Sequence, residues 1–401
     1  MKNYMRIEFK ISDENIFLYS IKNQMNTFEC NISDNKINCN VYYDFNEKPL
    51  SLQSDIKKND TVKVILMPFR IELWVNGVLK DEEWPAGNCL FSKDDEIKSN
   101  INISVSEHSY IKNIQPAVTG TFENANGWKP GENVFVGDCM PYVCDNRYHV
   151  LYLKDRHHHK SKWCNGAHQW EHISTHDFKT WEIHPMAVDI SEPYEGSICT
   201  GSWVRKDDTH YLFYTVRMAD HSSAPIRRSI SKDGYHFEKD TDFSIVLSNK
   251  YHGESARDPK VILADDGLYH MFLTTSYEVE HKGCLAHLIS KDLYKWEETE
   301  KPIYISESSD QPECPDYIKY NGYYYLIFSL KGKAHYMVSK KPLDGWIMPE
   351  NPVIPCDSVP KGTVWNDKII FTGFKAINGY AGTMTFATAT NNENGILKFD
   401  N

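Results

Sequence analysis

The sequence predicts an all-β chain of two domains, a β-sandwich over residues 1–115 and a five-bladed β-propeller over 116–401. Three observations predict it. A polar turn followed by an aromatic-rich strand recurs five times after residue 135. A second pattern, a short polar turn with a large ring about six residues on, follows four of those copies. The first 115 residues instead hold short apolar and β-branched runs with a hairpin signal between them.

In the first segment, Val62 to Leu66 and Arg70 to Val75 read as strands, and Asn76-Gly77 marks a tight turn before Val78-Leu79. The stretch RIELWVNGVLKDEEWPAG, residues 70–87, resembles a hairpin of laminin-G-like or legume-lectin-like sandwiches. Two readings of this domain stand: a structural sandwich, or a carbohydrate-binding module. The turn-rich run from Gly120 to Gly131 enters the second domain.

The aromatic strands start at Tyr148, His210, Tyr269, Tyr323 and Lys368, each preceded by a polar turn: Asp145-Asn146, Asp207-Asp208, Asp265-Asp266-Gly267, Asn321-Gly322 and Asn366-Asp367. The second pattern is Ser174-Thr175-His176-Asp177 with Trp181, Ser231-Lys232-Asp233-Gly234 with Phe237, Ser290-Lys291-Asp292 with Trp296, and Ser339-Lys340 with Trp346. Repeats of this size, each with several strands, fit propeller blades. One blade cannot bury both faces of its sheet, so it needs neighbours.

Composition narrows the function. A chain of 401 residues exceeds one comfortable core, and 41% hydrophobic with 13% aromatic residues is globular rather than disordered. A formal net charge of -11 argues against a nucleic-acid partner, which needs clustered cations. The one basic-looking run is Arg156 to Lys162. The N-terminus lacks an apolar run with a cleavage site, and no stretch approaches the roughly 18 apolar residues of a spanning helix. The ten cysteines show no CxxC metal spacing. The expectation is a cytoplasmic protein with free thiols, no membrane partner, no cofactor and no metal, unless a leader has been removed.

Three carboxylates stand out. Asp138 lies ten residues before Tyr148, Asp258 eleven before Tyr269, and Glu313 eleven before Tyr324. The strand before each aromatic one is the innermost of its blade, so the three acids are expected at one register around the central channel. All lie in proline-flanked motifs: Gly137-Asp138-Cys139-Met140-Pro141, Arg257-Asp258-Pro259 and Pro312-Glu313-Cys314-Pro315. Such a set suits glycosidic cleavage, which needs a proton donor for the leaving oxygen and a second carboxylate to attack carbon or activate water. Crowding and burial separate their proton affinities. Against this stands chance, since the chain holds 55 acidic residues and turns favour them. Three matches in similar motifs outweigh it.

At these residues the chain resembles glycoside hydrolase family 32 and its relatives in the fructosidase and arabinosidase superfamily, over about 135–390. Gly137-Asp138-Cys139 stands where the family has Asn-Asp-Pro, whose aspartate is the nucleophile. Arg257-Asp258-Pro259 resembles its Arg-Asp-Pro motif, whose aspartate stabilises the transition state. Glu313-Cys314 resembles its Glu-Cys motif, whose glutamate is the acid/base. The segments Gln169–Glu182, Gly196–Ser202 and Tyr380–Phe386 also resemble family segments. The resemblance implies a five-bladed propeller that hydrolyses β-fructofuranosides with retention. Two departures point to a different sugar or arrangement: Gly137 replaces an asparagine that contacts the fructose ring, and the extra domain precedes the propeller.

Further candidates for sugar contact are Arg257, Trp163, Gln169, Trp170, Thr200, Ser202, Trp203 and His158. Rings stack on sugars, yet core packing explains each tryptophan equally well. His157, His158, His159 and His168 invite a zinc reading, but adjacent histidines diverge and no partner spacing follows. Cys139 and Cys314 read as small buried residues. The competing functions are an inverting α-arabinofuranosidase or β-xylosidase, a glycoside phosphorylase, and a non-catalytic carbohydrate-binding propeller.

Overall fold

The computed structural model describes residues 3–12, 17–43, 49–84, 90–109, 115–131, 133–156 and 168–400. Every regular element among them is a β-strand. No helix among them is long and apolar enough to cross a membrane. The chain divides into two compact units, one of residues 1–114 with 162–166 and 190–196, the other of the remainder.

The first unit contains two five-stranded sheets. One runs in the order Ser104–Ser109, Asn3–Lys10, Thr61–Leu66, Ile71–Val75, Val78–Glu83. The other runs Leu50–Asp55, Lys36–Tyr43, Asn26–Ser33, Phe17–Lys22, Glu96–Ser99. Alternation sends one side of each strand inward. Ile7, Val64 and Leu73 of the first sheet and Tyr19, Phe28 and Val41 of the second share a single core. The Asn76-Gly77 signal is realised as a two-residue hairpin with φ of 51° and 78°.

The second unit is five antiparallel groups, each opened by a hairpin at an expected polar turn. The hairpins are Val134–Cys144 with Arg147–Arg156, Glu195–Lys206 with Thr209–Met218, Arg257–Leu263 with Tyr269–Tyr277, Glu313–Tyr320 with Tyr323–Leu330, and Lys361–Trp365 with Lys368–Ala376. Positive φ at Asp145-Asn146, Asn321-Gly322 and Asn366-Asp367 explains why Asn, Asp and Gly stand there. One ring from each second strand is fully buried: Tyr148, Phe213, Phe272, Tyr325 and Phe371. Burial of each is worth about 1.5–3 kcal/mol.

Among the described residues, no group closes its core alone. Val204 and Phe213 of the second pack with Val261 and Met271 of the third. Leu285 of the third meets Leu326 and Phe328 of the fourth. Ile318 and Tyr325 of the fourth meet Ile369 and Phe371 of the fifth. The fifth returns to the first, where Phe374 and Met384 share a core with Val136 and Tyr148. Val136 also pairs with Gly382 and joins the two groups into one nine-stranded sheet.

Candidate active site

Three of the inner strands carry the same defect. Between Val136 and Cys139, between Arg257 and Lys260, and between Glu313 and Asp316, two residues face one on the neighbouring strand. These are β-bulges, which bend a strand and re-aim its side chains. Pro259 and Pro315 lack the N–H a regular ladder would require. Asp258 and Cys314 take φ of +59° and +52°. A left-handed backbone is uncommon for a cysteine, and its presence at a bulge marks a place where the surroundings impose the conformation.

The bulges correct the expected common register. Glu313 faces Ser329 as Arg257 faces Thr274, so Glu313 matches Arg257 in position. Cys314 correspondingly matches Asp258, and Gly137 takes that place in the first group. The three acids therefore stand on successive places of one repeated bulge.

They nonetheless meet. Asp138 Oδ2 accepts a hydrogen bond from Thr200 Oγ1 at 2.5 Å and from the Cys314 thiol at 3.3 Å. Asp138 Oδ1 accepts one from the Tyr380 hydroxyl at 2.7 Å. Asp258 Oδ2 accepts the Cys314 backbone N–H at 3.1 Å and lies 3.6 Å from both the Cys314 sulfur and Arg257 Nε. Arg257 Nη2 donates to Glu313 Oε1 at 3.0 Å. Cys314 thus touches two of the acids, and Arg257 touches two. Gln311 completes the support, accepting from Arg257 Nη1 at 2.6 Å and donating to Ser255 and Ser276.

Burial grades the three. Asp138 is 8% exposed and Asp258 4%, whereas the Glu313 side chain is 34% exposed and open to water. Burial pushes the Asp258 carboxyl up, with Asp138 adding to the effect and Arg257 opposing it. Burial works against the Arg257 charge, yet Asp258 and Glu313 outweigh it and hold the guanidinium protonated. Burial, then Asp138 and Asp258, raise the Cys314 thiol well above its usual range, so it is a neutral donor. Below the acids, buried Lys361 donates to the Gly201 carbonyl at 3.0 Å, and burial lowers its pKa.

The other candidates divide. Thr200 belongs to the cluster. Ser202 lines the inner strand but spends its hydroxyl on backbone, donating to the Pro259 carbonyl and accepting from Val261 N–H. Trp170 is fully buried, donates its indole N–H to the Cys199 carbonyl and meets Tyr214 edge-on, so core packing replaces sugar stacking. Gln169 is likewise fully buried and closed to solvent. Trp203 stacks on Tyr142 at 4.4 Å and donates to His210, away from the acids. Trp163, His158 and the neighbouring His157 and His159 lie outside the described residues. His168 is buried against Asp155 at 3.1 Å. Tyr380, Gln311 and Lys361 were not among the expected site residues, although Tyr380 opens the family-like segment Tyr380–Phe386. For Tyr380 the available signal was the Asn378-Gly379 turn just ahead of it.

Among the described residues, His149, His172 and His184 form the group able to hold a metal, with one nitrogen of each within 4.8 Å of the others. Burial lowers all three, which keeps the imidazoles in the neutral, ligating form. They stand apart from the acids and include no carboxylate. The Arg147 charge beside them opposes a cation.

The profile of the glycosyl hydrolases family 32 N-terminal domain matches residues 138–347, more than half of the chain. The chain belongs to glycosyl hydrolase family 32. The stretch matched in this family 32 chain opens at Asp138 and includes Asp258 and Glu313. The chain is 28% identical over 207 residues to a sucrose-6-phosphate hydrolase of Vibrio alginolyticus, covering 49% of this chain and 40% of that protein. It is 31% identical over 200 residues to the Bacillus subtilis (strain 168) protein of the same name, covering 46% and 40%. It thus spans about two fifths of the length of these curated relatives. The fold is similar to that of fructan 1-exohydrolase IIa from Cichorium intybus, with a TM-score of 0.57 at 15% identity over 69% of this chain and 60% of that one. It is also similar to a thermostable family-43 glycoside hydrolase, with a TM-score of 0.50 at 16% identity over 70% and 96%. At such identities the likeness is one of fold.

Proposed function

We propose that this family 32 chain is a retaining glycosidase that cleaves a β-fructofuranoside or related furanoside. In this reading the second unit is a five-bladed β-propeller with the acids at its channel mouth, and residues 1–115 are an accessory β-sandwich. The observation that carries the proposal is the meeting of Asp138, Asp258 and Glu313, from three separate sheets, around Cys314 and Arg257.

In this reading each acid has its own role. A carboxylate oxygen of Asp138 attacks the anomeric carbon as the bond to the leaving oxygen breaks. Glu313, the exposed acid, gives its proton to that oxygen. This leaves a glycosyl ester on Asp138 and an ionised Glu313. Water then attacks the same carbon, gives its proton to Glu313 and releases Asp138. Positive charge builds on the sugar ring in both steps, and in this reading ionised Asp258 stabilises that charge. Arg257 favours the ionised form of Asp258 against the cost of burial.

The test is a screen of wild-type protein and D138N against sucrose, its 6-phosphate, inulin, levan and arabinan oligosaccharides. Early NMR spectra of the product give its anomeric configuration. The expected result is release of a sugar with retained configuration by wild type and none by D138N. Inverted product would replace retention with the inverting reading. Sugar binding without cleavage by wild type would leave a carbohydrate-binding propeller.

A further inference from the structure

Tyr380 sits in the five-residue connection between Lys368–Ala376 and Gly382–Asn391. Asn378, Gly379 and Ala381 all have positive φ, and the Ile377 N–H donates to the Ala381 carbonyl at 2.9 Å. This compact loop projects the Tyr380 ring inward, edge-on to Phe374 at 5.2 Å and beside His168 at 5.1 Å. The hydroxyl makes two bonds to a single residue. It donates to Asp138 Oδ1 at 2.7 Å and accepts the Asp138 backbone N–H at 3.2 Å. A group that grips both the side chain and the backbone of one aspartate fixes its rotamer as well as its charge.

The space for that hydroxyl exists because residue 137 is glycine. A Cβ built on Gly137 falls 2.6 Å from the Tyr380 oxygen and 3.1 Å from Leu153 Cβ. Any side chain at 137 therefore competes with the Tyr380 hydroxyl for one volume. A glycine at 137 and the Tyr380 hydroxyl at this spot go together.

We infer that Tyr380 is a positioning residue for Asp138, and that Gly137 makes room for it. The inference rests on the proposed role of Asp138 and adds the device that orients it. With Thr200 on the other oxygen, Tyr380 clamps the carboxylate from both sides. Burial, with the Asp138 charge adding to it, raises the Tyr380 phenol well above its usual range, so it remains a donor throughout the working pH range. The titratable groups facing Asp138 are Tyr380, Cys314, Asp258 and Cys199, with Cys139 adjoining; Asp155 and His168 lie beyond Tyr380.

The test compares wild type, Y380F, G137A and the double variant. Titration of Asp138 is followed by carbon NMR of aspartate-labelled protein, with the resonance assigned by D138N, and so needs no turnover. Loss of a donor to the carboxylate should raise the Asp138 midpoint by about one pH unit in Y380F. G137A, which pushes the hydroxyl aside, should give a similar shift and add little on top of Y380F. In turnover, kcat should fall about 10- to 100-fold with KM little changed, and the acid limb of the kcat/KM profile should move upward with the NMR midpoint. An unchanged Asp138 midpoint in folded Y380F overturns the inference. So does an additive effect of the two substitutions. A wild type that hydrolyses no furanoside instead removes the functional reading, and the NMR midpoints still judge the clamp.

Discussion

The outer turns and the inner bulges of the second unit repeat in opposite ways. The outer turns repeat chemically. Asp177 Oδ1 accepts the N–H groups of Lys179 and Thr180, Asp233 Oδ1 those of Tyr235 and His236, and Asp292 Oδ1 those of Tyr294 and Lys295. Thr175, Ser231 and Ser290 each accept a further N–H from the residue three places on. The inner bulges repeat only as backbone, and their three copies hold Gly-Asp, Asp-Pro and Cys-Pro at matching places. Equivalent residues in the same geometry are what a scaffold needs, because each copy solves the same folding problem. Different residues in identical geometry produce asymmetry, and a reaction centre needs asymmetry, since its acids must differ in role.

This contrast yields tests in descending size. The largest concerns Glu313. E313Q should lower kcat/KM on a natural furanoside by about 10²–10⁴-fold, and much of the loss should disappear on an aryl furanoside whose leaving group needs no proton. An equal loss on both substrates would remove the acid role. Next, D258N should lower kcat by about 10²–10³-fold while raising Tm at pH 7. The sign follows from the raised carboxyl: ionising Asp258 in the folded state costs stability above the ordinary aspartate range, and the cost vanishes as pH falls below it. Scanning calorimetry should show the two curves converging toward pH 3–4. A D258N protein less stable than wild type at every pH would place Asp258 in the scaffold.

A smaller effect tests the buried imidazoles. Burial holds His149 and His172 well below 6.5 and lowers His287 to about 4. The unfolded chain takes up these protons first, so stability present above pH 6.5 should drain away as pH falls toward 4. H287Q should flatten part of that slope. The smallest effect belongs to an outer turn. S290A removes the acceptor of the Leu293 and Asp292 N–H groups and should cost about 1 kcal/mol, a few degrees in Tm. Its kcat/KM should match wild type, and a loss of turnover would break the division between scaffold and site.

Much of this was legible in the sequence, and the gaps have physical causes. The polar turns and aromatic strands announce themselves because each turn demands particular residues and each strand a buried ring. The three acids and Arg257 emerged from their motifs. The bulges stayed hidden, since one extra residue leaves no mark in a count of offsets beyond a proline. For Trp170 and Trp203 two readings stood side by side, because a ring that packs a core and a ring that stacks on a sugar have the same composition. Tyr380 stood in a family-like segment, but its pairing with Asp138, 242 residues away in the chain, is a link no local pattern spans.

That separation also sets an order of manufacture. At about 5–20 residues per second, a ribosome that has finished the strand of Asp138 needs roughly 10–50 s more to reach Tyr380 and Gly382. Until then the strand edge that Gly382 will cover is unpaired, and the aspartate has lost half its grip. In the proposed reading, the nascent chain makes the Asp138 carboxylate early but cannot aim it until the hairpin that carries Tyr380 emerges.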